Sequence, residues 1–500
     1  MHISAVTSPV LPATELSSLA LLEQLTLLSQ LSTAEQAVKL AEFSSIKRFQ
    51  LSAGLTEFPR PLFLLADTLE TLDLSANQLT ELPDDFGRFH ALKILFLSDN
   101  HFTQLPKVLA HCPKLSMVGF KANQIEYVAE DCLPLGLRWL ILTDNKITQL
   151  PDSMGQLTLL QKCALAGNAI ERLPESMAAC QRLELLRVSA NKLTELPSWL
   201  FSLPRLSWLA FDGNPVTQAV TSSMTQAMGN TAPISSSSSG SSNATGHLDT
   251  ALPLVAMSQL DVGRELGRGA SGIIYQAQWQ AADVDFPKSV AVKLFKGAVT
   301  SDGYPSNELA CSLKVGLHPN IIPVLGQINQ PEALGLVMGL IAPRFTNLGL
   351  PPSLITCTRD TFVCGTEFSA AQILTITTQI ADAMAHLHDK GVSHGDVYAH
   401  NILIDGDDKV IFGDFGAATD LSNLSLGQQL AMEQIEVRAF ACLMDDLLGL
   451  VSITDLDKGL VNDLTAIKQA CLTEVTHERP RFKLLCEQLN RLGLRYGLLR

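Results

Sequence analysis

The chain has 500 residues, 46% hydrophobic and 17% charged, with a formal net charge of −14. That length is more than one core needs and predicts two domains with a connector, while the apolar content excludes general disorder. The acidic balance, with no clustered basic face, argues against a nucleic-acid partner, because such binding rests on grouped Lys and Arg.

The chain opens on an apolar stretch, Leu16 to Leu31, with no Lys or Arg before it and with Glu23, Gln24, Ser29 and Gln30 inside it. This predicts an amphipathic helix rather than a leader segment. No later apolar run is long enough to span a membrane. Ten cysteines stand singly, with no CxxC pair and no histidine at metal spacing, and read as buried thiols of a reducing, cytoplasmic protein.

Next comes a ladder: Asn77, Asn100, Asn123, Asn145, Asn168, Asn191 and Asn214 are spaced 23, 23, 22, 23, 23 and 23 residues apart. A fixed period of this length means stacked repeats. Each copy reads like Leu69-Glu-Thr-Leu72-Asp-Leu74-Ser-Ala-Asn77-Gln-Leu79, and most carry a following Leu-Pro such as Leu105-Pro106. Leucines at these intervals turn inward from a short strand and its turn, and the asparagine amide satisfies backbone groups of neighbouring coils. A degenerate copy, Ile46 to Gly54, brings the number of repeats to about eight. The pattern resembles the intracellular 23-residue leucine-rich repeat, an α/β solenoid.

We divide this half into a helical cap (1–43) and a repeat domain (44–216). The outward strand positions hold Ile94, Phe96, Met117, Trp139, Ile141, Leu185 and Trp208. An apolar stripe on a concave face predicts a protein substrate or regulator bound there, or else a covering by the other domain or a second copy. Residues 217–257, with Ser235 to Ser239 and little apolar content, predict a flexible linker that couples the halves loosely.

From residue 258 to 496 the signals change. Gly267, Gly269 and Gly272 precede Ile274, and Val290-Ala-Val-Lys293 follows. Glycines so spaced let a hairpin backbone close over phosphates, and a strand lysine steadied by Glu308 on the next helix holds them. Further on come His394-Gly395-Asp396-Val-Tyr398-Ala-His400-Asn401 and Gly413-Asp414-Phe415-Gly416. The Asp396 carboxylate suits a proton acceptor, and Asn401 and Asp414 offer oxygens that suit Mg²⁺.

The whole series resembles the eukaryotic-type protein kinase family, which implies an α+β bilobal fold and the use of ATP and Mg²⁺. The resemblance gives catalytic roles to Asp396, Lys293 and Glu308, and metal roles to Asn401 and Asp414. It makes Met338 the gatekeeper, with the next residues, Leu340 among them, forming the hinge to adenine; His394 reads as a structural histidine bracing the Asp414 turn rather than as a base. Glu433 becomes a candidate partner for Arg479.

Two departures stand out. Gly395 replaces the arginine that receives an activation-loop phosphate in many kinases, and Tyr398 replaces the lysine that screens the transferring phosphoryl group. His400 stands where tyrosine kinases place an arginine. The reading is an ATP- and Mg²⁺-dependent protein kinase, Ser/Thr in specificity, constitutive and slow, with repeats that recruit a protein. A pseudokinase scaffold and a small-molecule phosphotransferase remain open beside it.

Overall fold

The computed structural model describes residues 17–218, 252–269, 271–280, 287–296, 299–300, 302–452 and 457–498. Most of the expected linker therefore lies outside the described residues. Two helices, α1 (Ser18–Ser29) and α2 (Thr33–Leu40), open the structure. Ser17 caps the first, accepting from the backbone N–H of Ala20, and Leu21, Leu25 and Leu28 bury its inner face.

Eight three-residue strands follow: β1 (Arg48–Gln50), β2 (Thr71–Asp73), β3 (Ile94–Phe96), β4 (Met117–Gly119), β5 (Trp139–Ile141), β6 (Lys162–Ala164), β7 (Leu185–Arg187) and β8 (Trp208–Ala210). They form one parallel sheet in chain order. The asparagines do what their spacing predicts. Asn100 Oδ1 accepts from Leu79 N at 2.9 Å, and its Nδ2 donates to Leu74 O and Leu97 O at 3.0 and 3.1 Å. Each amide thus ties its own turn to the preceding coil, where unpaired backbone groups would be costly.

The second half is bilobal. Its small lobe is an antiparallel sheet of β9 (Leu260–Arg268), β10 (Gly272–Trp279), β11 (Ser289–Phe295), β12 (Val324–Gln330) and β13 (Ala333–Gly339), ordered β12-β13-β11-β10-β9. Beside it lies α3 (Pro305–Val315), which Pro305 starts at the first helical position, where its missing N–H is not needed.

The large lobe holds β14 (Thr346–Asn347), α4 (Ala370–Asp389), β15 (Val392–Ser393), β16 (Ile402–Ile404), β17 (Val410–Phe412), β18 (Thr419–Asp420), α5 (Leu426–Leu448), α6 (Lys458–Cys471) and α7 (Phe482–Arg495). Capping boxes begin α4 (Ser369 with Gln372) and α5 (Ser425 with Gln428), each satisfying two backbone donors that a helix start leaves open.

The two halves are not loosely coupled. Leu185 and Trp208 of the repeats belong to the large lobe's buried cluster, while Leu421, Leu424, Met432 and Ile435 of the lobe join the repeat core. Polar ties line the same seam. Asn423 Nδ2 donates to Thr217 O at 2.7 Å, Arg479 Nη2 to Pro204 O at 2.7 Å, and Thr358 Oγ1 to Glu184.

Arg479 is thus engaged by the repeats, and the expected Glu433–Arg479 pair does not form. Glu433 instead takes Arg481 Nε at 2.8 Å and Phe482 N at 2.9 Å. Not every cysteine is buried either: Cys364 is exposed and Cys486 half-buried.

Candidate active site

Between the lobes lies a cleft of about 320 Å³, whose wall includes Gly269, Gly272, Lys293, Glu308, Asn401 and Asp414. The β9–β10 hairpin carries the glycines. A Cβ at Gly267 or Gly269 would meet nothing within 4 Å, whereas one at Gly272 would run into Leu294 O. The loop therefore keeps open space at its tip and packs closely at its root.

Lys293, on β11 opposite Ile274, forms an ion pair with Glu308 of α3, and its Nζ lies 4.0 Å from Asp414 Oδ1. Burial desolvates both charges and makes the loss of either partner costly, since a lone buried charge is uncompensated. Met338 sits on β13 beside Ala291 and is buried; Leu340 follows as a half-buried residue packed on the same apolar cluster. Met338, Ile274 and Leu336 line the cleft as an apolar wall, whereas Leu340 packs on the same cluster without lining it.

The catalytic loop is braced from behind. His394 stacks on Phe412 at 4.1 Å, its Nε2 lies 3.0 Å from Gly413 O, and its Nδ1 accepts from Asp396 N at 3.2 Å. This agrees with the bracing role. Glu436 of α5 accepts from Gly395 N at 2.5 Å, so one buried carboxylate anchors the loop at Gly395. Asp396 Oδ2 accepts from Asn401 Nδ2 at 2.8 Å.

Asp360 was not foreseen. Its buried carboxylate takes His400 Nδ1 at 2.7 Å and Ala399 N at 2.5 Å. Burial alone would lower the His400 pKa, but the Asp360 hydrogen bond and charge outweigh it and raise the pKa above the usual imidazole value. The imidazolium so favoured lies on the cleft wall. Burial, reinforced by Asp396, pushes the Tyr398 phenol well above its ordinary value, so that ring stays neutral.

The front of the loop is covered by the repeats. The Trp208 ring stacks on Tyr398 with centroids 4.5 Å apart and planes 5° from parallel, and its Nε1 donates to Val397 O at 3.0 Å. Arg187 of β7 donates to Gly395 O at 2.8 Å, pairs through Nε with Asp302 at 2.9 Å, and forms an ion pair with Asp396. Gly395 has φ +73°, a conformation in which glycine avoids the Cβ penalty. A Cβ there would meet Ala417 O and stand 3.1 Å from Leu209 O of the repeats.

The apolar stripe accordingly divides. Met117 and Trp139 bury against Cys357 of the large lobe, with Ile94 and Ile141 at the margin, and Leu185 and Trp208 enter the lobe's core. Phe96 stays half-buried on β3. The expectation of an outside protein on this face is corrected: the kinase half lies on it. Arg187 was legible in principle, since it occupies on β7 the outward position that Ile141 takes on β5.

Fold and site together define a bilobal protein kinase domain joined to a leucine-rich repeat solenoid. Residues 260–443 match the family model described as protein tyrosine and serine/threonine kinase, and residues 67–125 match that of the leucine rich repeat.

Among relatives, the chain is similar to fibroblast growth factor receptor 1 of Pleurodeles waltl, 25% identical over 308 residues covering 51% of this chain and 38% of that protein. The Xenopus laevis receptor of the same name is 25% identical over 285 residues, covering 48% and 35%. The chain thus spans little more than a third of these relatives. The cytoplasmic expectation does not stand, because the relatives are receptors by name. No helix among the described residues is long and apolar enough to cross a membrane.

Proposed function

We propose that the chain transfers the γ-phosphate of ATP to protein hydroxyls, with Ser/Thr acceptors. The observation that carries this reading is the Lys293–Glu308 ion pair beside Asp414, in the same cleft as Asn401. That pairing and the placement of the metal-ligand side chains are what phosphoryl transfer asks of a kinase. The donor set fits the cofactors: a glycine hairpin with open space at its tip, a lysine for the phosphates, and the carbonyl and carboxylate oxygens that Mg²⁺ prefers.

In this scheme Lys293, held by Glu308, binds the phosphates. Asn401 and Asp414 would hold Mg²⁺, which when bound neutralises charge on the transferring group. Asp396, oriented by Asn401, accepts the proton of the attacking hydroxyl. His400, whose pKa Asp360 raises, adds positive charge at the cleft wall in its protonated form. Ser/Thr specificity is supported by the lack of an arginine at position 400. Because the kinase half fills much of the concave face, recruitment of a substrate falls to surfaces outside the apolar stripe.

Labelled ATP and a degenerate peptide pool, followed by phosphoamino-acid analysis, test the proposal. Asp396→Asn is expected to lower transfer by about a thousandfold while ATP binding persists. Equal transfer by this variant removes Asp396 from the mechanism, label on tyrosine refutes the specificity, and bound but untransferred ATP in the wild type favours the scaffold.

A further inference from the structure

The two departures in the catalytic loop, Gly395 and Tyr398, face the same neighbour. Gly395 lacks the Cβ that would stand 3.1 Å from Leu209 O, and its own carbonyl accepts from Arg187 at 2.8 Å. Tyr398 lies flat against Trp208. The loop has lost its own cations where the repeat domain brings one in.

That cation is held on three sides. Arg187 is 5% exposed at its side chain and reaches Asp302, Gly395 O and Asp396 at once. A guanidinium presents several donors in a rigid planar fork, so three acceptors fix its position. Of its partners, Asp302 lines the cleft, and Asp396 accepts from Asn401, which also lines it.

We propose that Arg187 is a positioning residue for phosphoryl transfer, supplied from the repeat domain in place of the lysine that Tyr398 displaces. It fixes the Asp396 carboxylate and sets positive charge beside the reacting groups. The inference rests on the kinase reading above.

A competing role is a latch, in which Arg187 occupies the base and holds the enzyme off. The observations favour the positioning role. Asp396 keeps 21% of its side chain exposed beneath the arginine, and the Lys293–Glu308 pair is already formed. The seam merges two apolar cores, so opening it to release a latch would expose them to water.

The experiment compares wild type, Arg187→Met and Arg187→Lys for peptide phosphorylation, with melting temperature and calorimetric affinities measured alongside. Arg187→Met is expected to lower kcat by about a hundredfold, with KM for ATP and affinity for Mg²⁺-ATP unchanged. Its affinity for Mg²⁺-ADP with aluminium fluoride, a mimic of the transferring phosphoryl group, should fall by a similar factor. Arg187→Lys, added guanidinium, or Tyr398→Lys in the Arg187→Met background should each restore part of the rate.

A faster Arg187→Met enzyme establishes the latch and overturns the proposal. So does an unchanged kcat, or a loss that tracks melting temperature and ATP affinity without any rescue. A wild type that binds ATP but transfers nothing overturns the kinase reading itself, which the other outcomes leave standing.

Discussion

The nucleotide cleft and the front of the catalytic loop share one lobe, yet they are assembled differently. Every side chain on the cleft wall comes from residues 269–416, and Lys293 meets Glu308 only 15 positions away. The loop's front depends on the repeats: Arg187 and Asp396 are 209 positions apart, and Trp208 and Val397 are 189. The cleft's Lys293–Glu308 pair closes within the kinase half and only Asp302 on its wall turns to Arg187, whereas the loop draws both its opposite charge and its apolar cover from another domain. Asp396, in a loop with neither Lys nor Arg from His394 to Asn401, thus has its cation supplied by the repeats.

The sharpest way to break this comparison is to damage each side separately. Lys293→Met removes the cleft's lysine and leaves Glu308 buried without its ion-pair partner; transfer should fall by about a hundredfold or more, with the repeat seam intact by limited proteolysis. Loss of the seam in that variant would show the two regions to be one system.

Trp208→Ala attacks the other side. Removing the stacked ring should cost about 3–5 kcal/mol in denaturant unfolding and slow transfer more modestly, while ATP affinity holds. Wild-type stability in that variant would mean the stack contributes nothing.

The smallest effect is one of pH. His400 has a folded pKa raised above its unfolded value of about 6.5. Its stabilising contribution is therefore complete below that value and lost as pH rises through the raised one. Transfer should decline over the same rising limb, and Asp360→Asn should move the decline to lower pH. An identical profile in that variant would exclude His400 from the rate.

Much of this was legible in the sequence. The asparagine period foretold the coils because each amide must repeat its bonds wherever a coil repeats, and the order Gly267 to Asp414 foretold the cleft because its groups lie on adjacent elements. What escaped were pairings fixed only when distant elements meet. Asp360 reaches His400 across 40 positions, and nothing in the intervening residues marks it. Glu433 pairs with Arg481, while Arg479 donates to the carbonyls of Thr473, Gln434 and Pro204, the last from the repeats. The apolar stripe was legible as a binding face, but its occupant was not, since periodicity reports exposure within one solenoid and not what packs against it.

The merged cores bear on how such a chain can change over generations. A solenoid ordinarily gains, loses or swaps coils with little consequence beyond its neighbours. Here the last coils carry Arg187 and Trp208, whose counterparts are Gly395 and Tyr398. Exchange of those coils alone would strip Gly395 O of Arg187 and Tyr398 of its stacked ring, so a new coil there would need a loop to match it.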